Sequence, residues 1–452
     1  MKKTNDLGND KVFSLVIKLA IPSMIAQMVN VLYSIVDRIY IGNIPLIGDI
    51  ALAGVGVCGP IVTLLTSFGT LVGIGGSILM ATKMGEKDDA QARQILSNSF
   101  YLLIIFAITL TALFMLIKSS LLVWFGASDI TFEYANTYLT IYTLGTIFSM
   151  LAIGLNYFIT CQGFAVVAMI SVVTGAISNI ILDFIFIFQF GWGIAGAAWA
   201  TVFSQVLSFI LVVSFLFGKK IHIKITFQRF SLDILKRIVS IGLSPFLILA
   251  TDSIIIIIMN TVLQKYGGEE QGDLLISCAT IVQSYMMLVT GPMLGITGGT
   301  QAIISYNYGA RNVDRVKQAQ KYIFGITIAY CTIMFFVSRF LPQYFVGIFT
   351  KNEGTMQLSM WGIRTFTLAV VPLSFQYVIV DSMTALGKTK VALFLSFFRK
   401  SLYVIFMVVL PMFFIPQSTF YAEPLADLAG CVTSVILFLL IFEKHLAQRA
   451  AS

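Results

Sequence analysis

Charge is what this sequence has least of. Asp, Glu, Lys and Arg make up 11% of its 452 residues, less than half the roughly 25% of an ordinary soluble domain. The shortage runs the whole length, which excludes a soluble protein with a charged surface and is expected when most of the chain is solvated by lipid. Histidine is nearly absent. His222 and His445 lie in polar stretches, with no HExxH and no Cys/His cluster, so a metal enzyme is not supported. Five cysteines, Cys58, Cys161, Cys278, Cys331 and Cys431, form an odd set without CxxC spacing, each inside an apolar run. That excludes a disulfide framework or a zinc site and leaves them as small packing residues. The net charge of +8 comes from cations scattered in short loops, not from a basic stripe with interleaved aromatics, so nucleic acid is not an expected partner.

Long apolar runs are what the sequence has in abundance: 58% of its residues are hydrophobic. In hydrocarbon the backbone must satisfy its own hydrogen bonds, and runs of about 20 to 30 apolar residues do so as helices. The pattern predicts twelve transmembrane helices near 12–41, 51–82, 94–117, 133–160, 165–189, 194–217, 236–264, 274–307, 319–345, 355–385, 390–413 and 424–443. The first is too long for a signal peptide and is followed by no cleavage site, so it is expected to be retained. With the amino terminus in the cytoplasm, only Arg38, Lys118, Lys265, Arg339, Lys351 and Arg364 fall at the outer side. Arg399 and Lys400 lie within a span, and the other 21 of the 29 Lys and Arg face inward. The positive-inside rule therefore predicts cytoplasmic termini in a plasma membrane.

The chain reads as a duplication. Pro22 matches Pro245, Gly85 in MGEKDDAQAR matches Gly309 in YGARNVDRVK, and Gly163 in CQG matches Gly387 in ALG, at offsets of 223, 224 and 224 residues. Six spans per repeat give both halves the same orientation, with a cavity expected between or within them. The expected organisation is an amino-terminal lobe at 1–218, a connector at 219–235 and a carboxyl-terminal lobe at 236–452. The basic stretch from Lys219 to Arg237 serves as a topology signal.

A carboxylate at mid-membrane costs about 2.5 to 3.5 kcal/mol on insertion scales, so Asp37, Asp183, Asp252 and Asp381 are functional candidates. In the first span Ser23, Gln27, Asn30, Ser34 and Asp37 recur every three or four residues and share one helical face. Asn179 and Asp183 stack one turn apart, as do Thr201, Gln205 and Ser208 on the next span, and Ser374, Tyr377, Asp381 and Thr384 on the tenth. The hydroxyls alone are better read as helix–helix contacts. Oxygen ligands of this kind suit Na⁺ or an exchanging proton. Two nucleotide-like strings carry no such function. Gly54, Gly56 and Gly59 form a GxGxxG without a preceding strand, and Gly387-Lys388-Thr389 lacks the opening glycine of a P-loop, Ser382 standing there instead. The glycine runs Gly69, Gly73, Gly75, Gly76 and Gly291, Gly295, Gly298, Gly299 suit close helix packing or a hinge.

Across nearly the whole chain the sequence resembles the multidrug and toxic compound extrusion (MATE) family, in particular its bacterial DinF-like and MepA-like branch. The carriers are LAIPSMIAQMVNVLYSIVDRIYIG, MGEKDDAQAR, NIILDFIFIF, GIAGAAWAT and ALGKTK, in this order. The resemblance implies an all-α MATE-like fold of two six-helix lobes and export of organic cations or amphipathic drugs by alternating access. Entry of Na⁺ or H⁺ would drive it, without cofactor or catalysis and as a monomer. It places cation coupling on Asp37, Asn179, Asp183 and Thr201. A cavity or substrate path is expected at Gln27, Asn30, Ser34, Gln205, Asp252, Tyr377 and Asp381, with Asp381 and Tyr377 fitting a second acid site that some members use. Under the repeat, Asp37 maps to Asn260, and Asn179 and Asp183 map to Tyr403 and Met407, so the cluster belongs to one half only. The alternative is a lipid-linked oligosaccharide flippase of the wider superfamily, which should show basic residues in its cavity.

Overall fold

The computed structural model describes residues 5–451, and among them all regular structure is helical. Ten helical segments are long and apolar enough to cross a membrane singly: Val12–Gly42, Ile50–Gly85, Asp89–Trp124, Ala165–Gln189, Gly193–Phe217, Leu232–Gly268, Leu274–Gly309, Val313–Phe340, Thr389–Phe413 and Pro416–Arg449. Two further spans, the fourth and the tenth, are bent pairs. Asp129–Leu144 meets Thr146–Thr160 at 55°, and Glu353–Phe366 meets Val370–Ala385 at 50°. The twelve expected spans are all found, and the expected continuous fourth and tenth helices are broken instead. At Gly145 the reason is steric: a β-carbon there would sit 2.5 Å from Val202 of the sixth span, so only glycine lets the bend press against it. Large apolar side chains such as Ile108, Leu116, Phe413 and Leu439 point outward, as lipid exposure allows.

The duplication is visible in backbone detail. Lys87 and Arg311 both take positive φ, 61° and 58°. The next residue on each side caps the following helix, Asp88 accepting from the Gln91 N–H at 3.0 Å and Asn312 from the Arg315 N–H at 3.3 Å. Gly163 and Gly387 supply matching left-handed turns at φ 87° and 73°.

The two halves meet along the second and eighth spans, at the end of the bundle that carries both chain ends. A β-carbon on Gly85 would fall within 3.0 Å of the Tyr306 carbonyl, and one on Gly309 within 3.0 Å of the Thr82 carbonyl. These contacts exchange under the same 224-residue offset, so they mark a local two-fold. Nearby, Gly75 lies against the Ile238 carbonyl and Gly242 against that of Leu71. The helices approach backbone to backbone where any side chain would hold them apart. Polar ties reinforce the seam. The Leu7 carbonyl accepts from Asn307 Nδ2 at 3.0 Å and from Arg315 at 3.1 Å; within the first half, Asn5 Nδ2 ties the amino-terminal segment to the Gly163 carbonyl at 2.9 Å. Glu86 pairs with Arg449. The stretch after Phe217 runs extended, burying Ile221, Ile223 and Ile225 at alternate positions. It is held by Gln162, bonded in both directions to Ile223 at 2.8 and 3.1 Å, and by Asn98, bonded to Arg229 and Ser231 at 3.1 and 2.8 Å.

Candidate functional site

Four of the sequence-derived residues converge inside the first half. Asp37 lies near the end of the first span, Asn179 and Asp183 on the fifth and Thr201 on the sixth. The carboxyl groups of Asp37 and Asp183 face each other. Asn179 Nδ2 reaches Thr201 Oγ1 at 3.5 Å, and that hydroxyl donates to the Ala197 carbonyl at 3.0 Å. Asn179 and Asp183 are 1% and 0% exposed and Asp37 is half-buried, so the site lies on the inside of the helices.

Local structure explains how Asp183 is presented. The α-helix ends at this residue, and the chain continues as a π-helix, Phe184–Gln189. The wider turn is pressed against the start of the sixth span, where a β-carbon on Gly196 would sit 2.8 Å from the Phe186 carbonyl. Single π-helical turns are frequent at functional sites.

Three tyrosines that the sequence reading passed over complete the walls. Tyr33 precedes Asp37 by one turn and lies close to both acids. Tyr138 faces Thr201 and Asp37. Tyr142 stacks on Tyr138 with centroids 6.2 Å apart, and its hydroxyl accepts from Gln205 Nε2 at 3.4 Å. The i, i+4 spacing of Tyr33 and Asp37 was the available signal for the first; nothing local marked the others.

The oxygens of the site are short of hydrogen-bond donors. Asp37 Oδ1, both carboxyl oxygens of Asp183, Asn179 Oδ1 and Gln205 Oε1 are buried without a hydrogen-bond donor. Two unit charges about 4 Å apart at an effective dielectric constant near 20 repel by about 4 kcal/mol. Facing carboxylates in such a place therefore call for a proton or a small cation between them. Among the described residues no three His, Cys, Asp or Glu gather into a metal centre. An ion here would be held by two carboxylates with amide and hydroxyl oxygens.

The remaining candidates lie elsewhere. Ser23 packs under Gly299 of the eighth span, and Asn30 Nδ2 reaches Gln27 Oε1 at 3.5 Å; Ser34 is half-buried on the same helix. That helical face thus looks across the seam at its near end and at Asp183 at its far end. Asp381 lies against Thr297 and Gln301 of the eighth span and near Tyr157. Tyr377, one turn earlier, covers the Arg399 guanidinium at 5.7 Å. Asp252 is ion-paired with Lys400. Asp252, Tyr377 and Asp381 thus have separate partners. In the second half the positions equivalent to the acid cluster hold Tyr403 and Met407, both buried, with the Tyr403 hydroxyl directed at Met259 Sδ, 3.6 Å away. Of the GxGxxG glycines, Gly54 packs closely on the fourth span near Ala135, whereas Gly56 and Gly59 face open space.

Comparison with known proteins agrees with this architecture. The profile of the MatE family matches twice, over residues 22–185 and 246–410. Multidrug export protein MepA of Staphylococcus saprophyticus is 23% identical over 432 residues, spanning 94% of this chain and 90% of its own. The protein of that name from Staphylococcus aureus is 22% identical over 431 residues, with the same coverage. A structure described as the outward-facing conformation of a multidrug resistance MATE family transporter of the MOP superfamily superposes with a TM-score of 0.90, at 25% identity and full coverage of both chains. A MOP superfamily transporter from Pyrococcus furiosus, whose reversed binding-pocket polarity suggested a different function for it, matches at 0.89 with 26% identity, covering 97% of this chain and 98% of its own. The chain belongs to the MATE family of transporters, and its curated relatives are of the MepA kind.

Proposed function

We propose that this protein exports organic cations or amphipathic drugs from the cytoplasm in exchange for Na⁺ or H⁺, by alternating access between lobes at 1–218 and 236–452 joined by the connector at 219–235. Both termini face the cytoplasm of a plasma membrane, so the glycine seam is the closed cytoplasmic side of an outward-facing state. The observation that carries the reading is the contact of Asp37 with Asp183, with their buried oxygens left without donors. A cation arriving from outside neutralises the pair, the surrounding packing changes, and bound drug loses its place. One monovalent cation moving down about 150 mV yields about 3.5 kcal/mol, enough for a few-hundredfold gradient of a neutral drug. For a drug of charge +1 a one-for-one exchange gains nothing from voltage, and the ion gradient alone drives it.

The flippase reading is less well supported. The two intramembrane cations of the eleventh span are held by acids, Arg399 by Glu423 and Asp427 and Lys400 by Asp252, which leaves them poor ligands for a pyrophosphate. The test is efflux of a fluorescent organic cation from proteoliposomes under separately imposed Na⁺ and proton gradients. One gradient should drive efflux in the wild type and neither in Asp37→Asn; undiminished efflux by that variant would overturn the proposal.

A further inference from the structure

The second half contains a buried charge cluster that the exchange described above does not use. Arg399, ten residues into the eleventh span, points one guanidinium nitrogen at two acids of the twelfth, Glu423 Oε1 at 3.0 Å and Asp427 Oδ1 at 2.9 Å. The side chains are 5%, 11% and 0% exposed respectively. Glu423 and Asp427 are four residues apart, so they stack on one helical face. One cation thus serves two carboxylates. The neighbouring Lys400 does not correct the balance, because it is paired with Asp252. Asp427 Oδ2 is buried without a donor, and so is Oε1 of Gln376, a residue 2% exposed. Gln376 Oε1 lies over Gly430, close to the Arg399 stem. The other groups around the acids are the rings of Tyr377 and Tyr403 and the thiol of Cys431, with Asp252 behind them.

An unpaired negative charge sealed among helices is strongly disfavoured even after relaxation. A metal ion is a poor remedy beside a guanidinium that already fills the cationic position, whereas a proton on one carboxyl neutralises the surplus and needs no added space. We propose that Asp427, which shares the Arg399 guanidinium with Glu423, holds one exchangeable proton, making a second ion-binding site separate from Asp37 and Asp183. The site is connected to the moving parts. Tyr377 covers Arg399, and one turn further along the same helix Asp381 meets Thr297 and Gln301 of the eighth span. Loss of the proton would leave the Arg399 guanidinium between two full carboxylates, and any shift of Arg399 that follows moves the Tyr377 ring covering it, giving the seam a second input.

The proposal stands on the second half alone, and its test is made with the first site disabled. In the full-length Asp37→Asn, Asp183→Asn protein in lipid nanodiscs, infrared spectroscopy reads the C=O stretch of protonated carboxyl groups during a pH titration without Na⁺. The expected result is a titrating band that disappears in Asp427→Asn and is lost or displaced in Glu423→Gln. The same background should show a pH-dependent melting temperature that Asp427→Asn, which mimics the protonated form in shape, makes less steep. If neither substitution removes or shifts any part of the titrating signal, the proposal is overturned. A midpoint that moves with Na⁺ concentration also overturns it, in favour of a metal-ion site.

Discussion

If the seam at Gly85 and Gly309 closes the transporter on the side of its termini, an added methyl group there should open it. In Gly85→Ala the new carbon would meet the Tyr306 carbonyl, and in Gly309→Ala that of Thr82, each inside 3.0 Å, against the 3.4 Å or more of ordinary contact. Both obstacles are backbone, so neither can rotate away, and the helices must part by roughly 1 Å or more. Overpacking of this kind costs about 1 to 3 kcal/mol. The penalty falls on the closed arrangement only, since parted helices no longer touch. The ratio of closed to open molecules should therefore fall about 5- to 150-fold. Gly298→Ala is the control: it sits on the same helix beside Gly299 and has nothing within 4 Å of its added carbon. Spin labels on the exposed positions Gln91 and Gln318, in a background cleared of native cysteines, would report the separation by pulsed electron resonance. Gly85→Ala and Gly309→Ala should each populate a longer distance and Gly298→Ala should not. Identical distance distributions in all three would refute the steric argument.

Replacing Asp183 by Asn removes one of two facing carboxyls; it should raise the melting temperature at neutral pH while reducing gradient-driven efflux at least tenfold, both read on the same preparation. Burial pushes the Glu86 carboxyl up, but hydrogen bonds from Lys83 and Arg449 outweigh it and hold the group below its ordinary value of 4.5. Its contribution to the seam is therefore fully present above that value and lost as pH falls through the lower folded one. Glu86→Gln should remove that acid dependence from the Gln91–Gln318 distance without altering efflux chemistry. Asn307→Ala takes one of two donors from the Leu7 carbonyl, Arg315 remaining; a loss of about 0.5 to 1.5 kcal/mol is expected, measured as faster proteolysis of the amino-terminal segment.

What could be read from the sequence follows from how each feature is encoded. Span positions depend on apolar length, and the structure has helices at all twelve places. The duplication shows at Gly85 and Gly309 because close backbone approach tolerates no other residue. Asp37, Asn179, Asp183 and Thr201 stood out because oxygens are costly in lipid, and the fold gathers these four. The bend at Gly145 was hidden within an unbroken apolar run, since its cause is Val202, distant in sequence. The π-helix after Asp183 follows from packing on Gly196 and leaves no periodicity to detect. Arg399 was visible as a cation within a span, but its partners Glu423 and Asp427 sit at the start of the twelfth helix, just outside and just inside the expected 424–443, and nothing in the sequence pairs them with it.

In the proposed exchange the Asp37–Asp183 pair holds a small cation that an organic cation displaces. The direct measurement is to add an organic cation to purified protein and record both protons released, with a pH indicator in weakly buffered medium, and Na⁺ released, with radioactive sodium. Wild-type protein should give up one cation of either kind per drug bound at this site, and Asp37→Asn and Asp183→Asn should give up none. Drug binding with no cation released from the wild type, or with the same release from both variants, would contradict it.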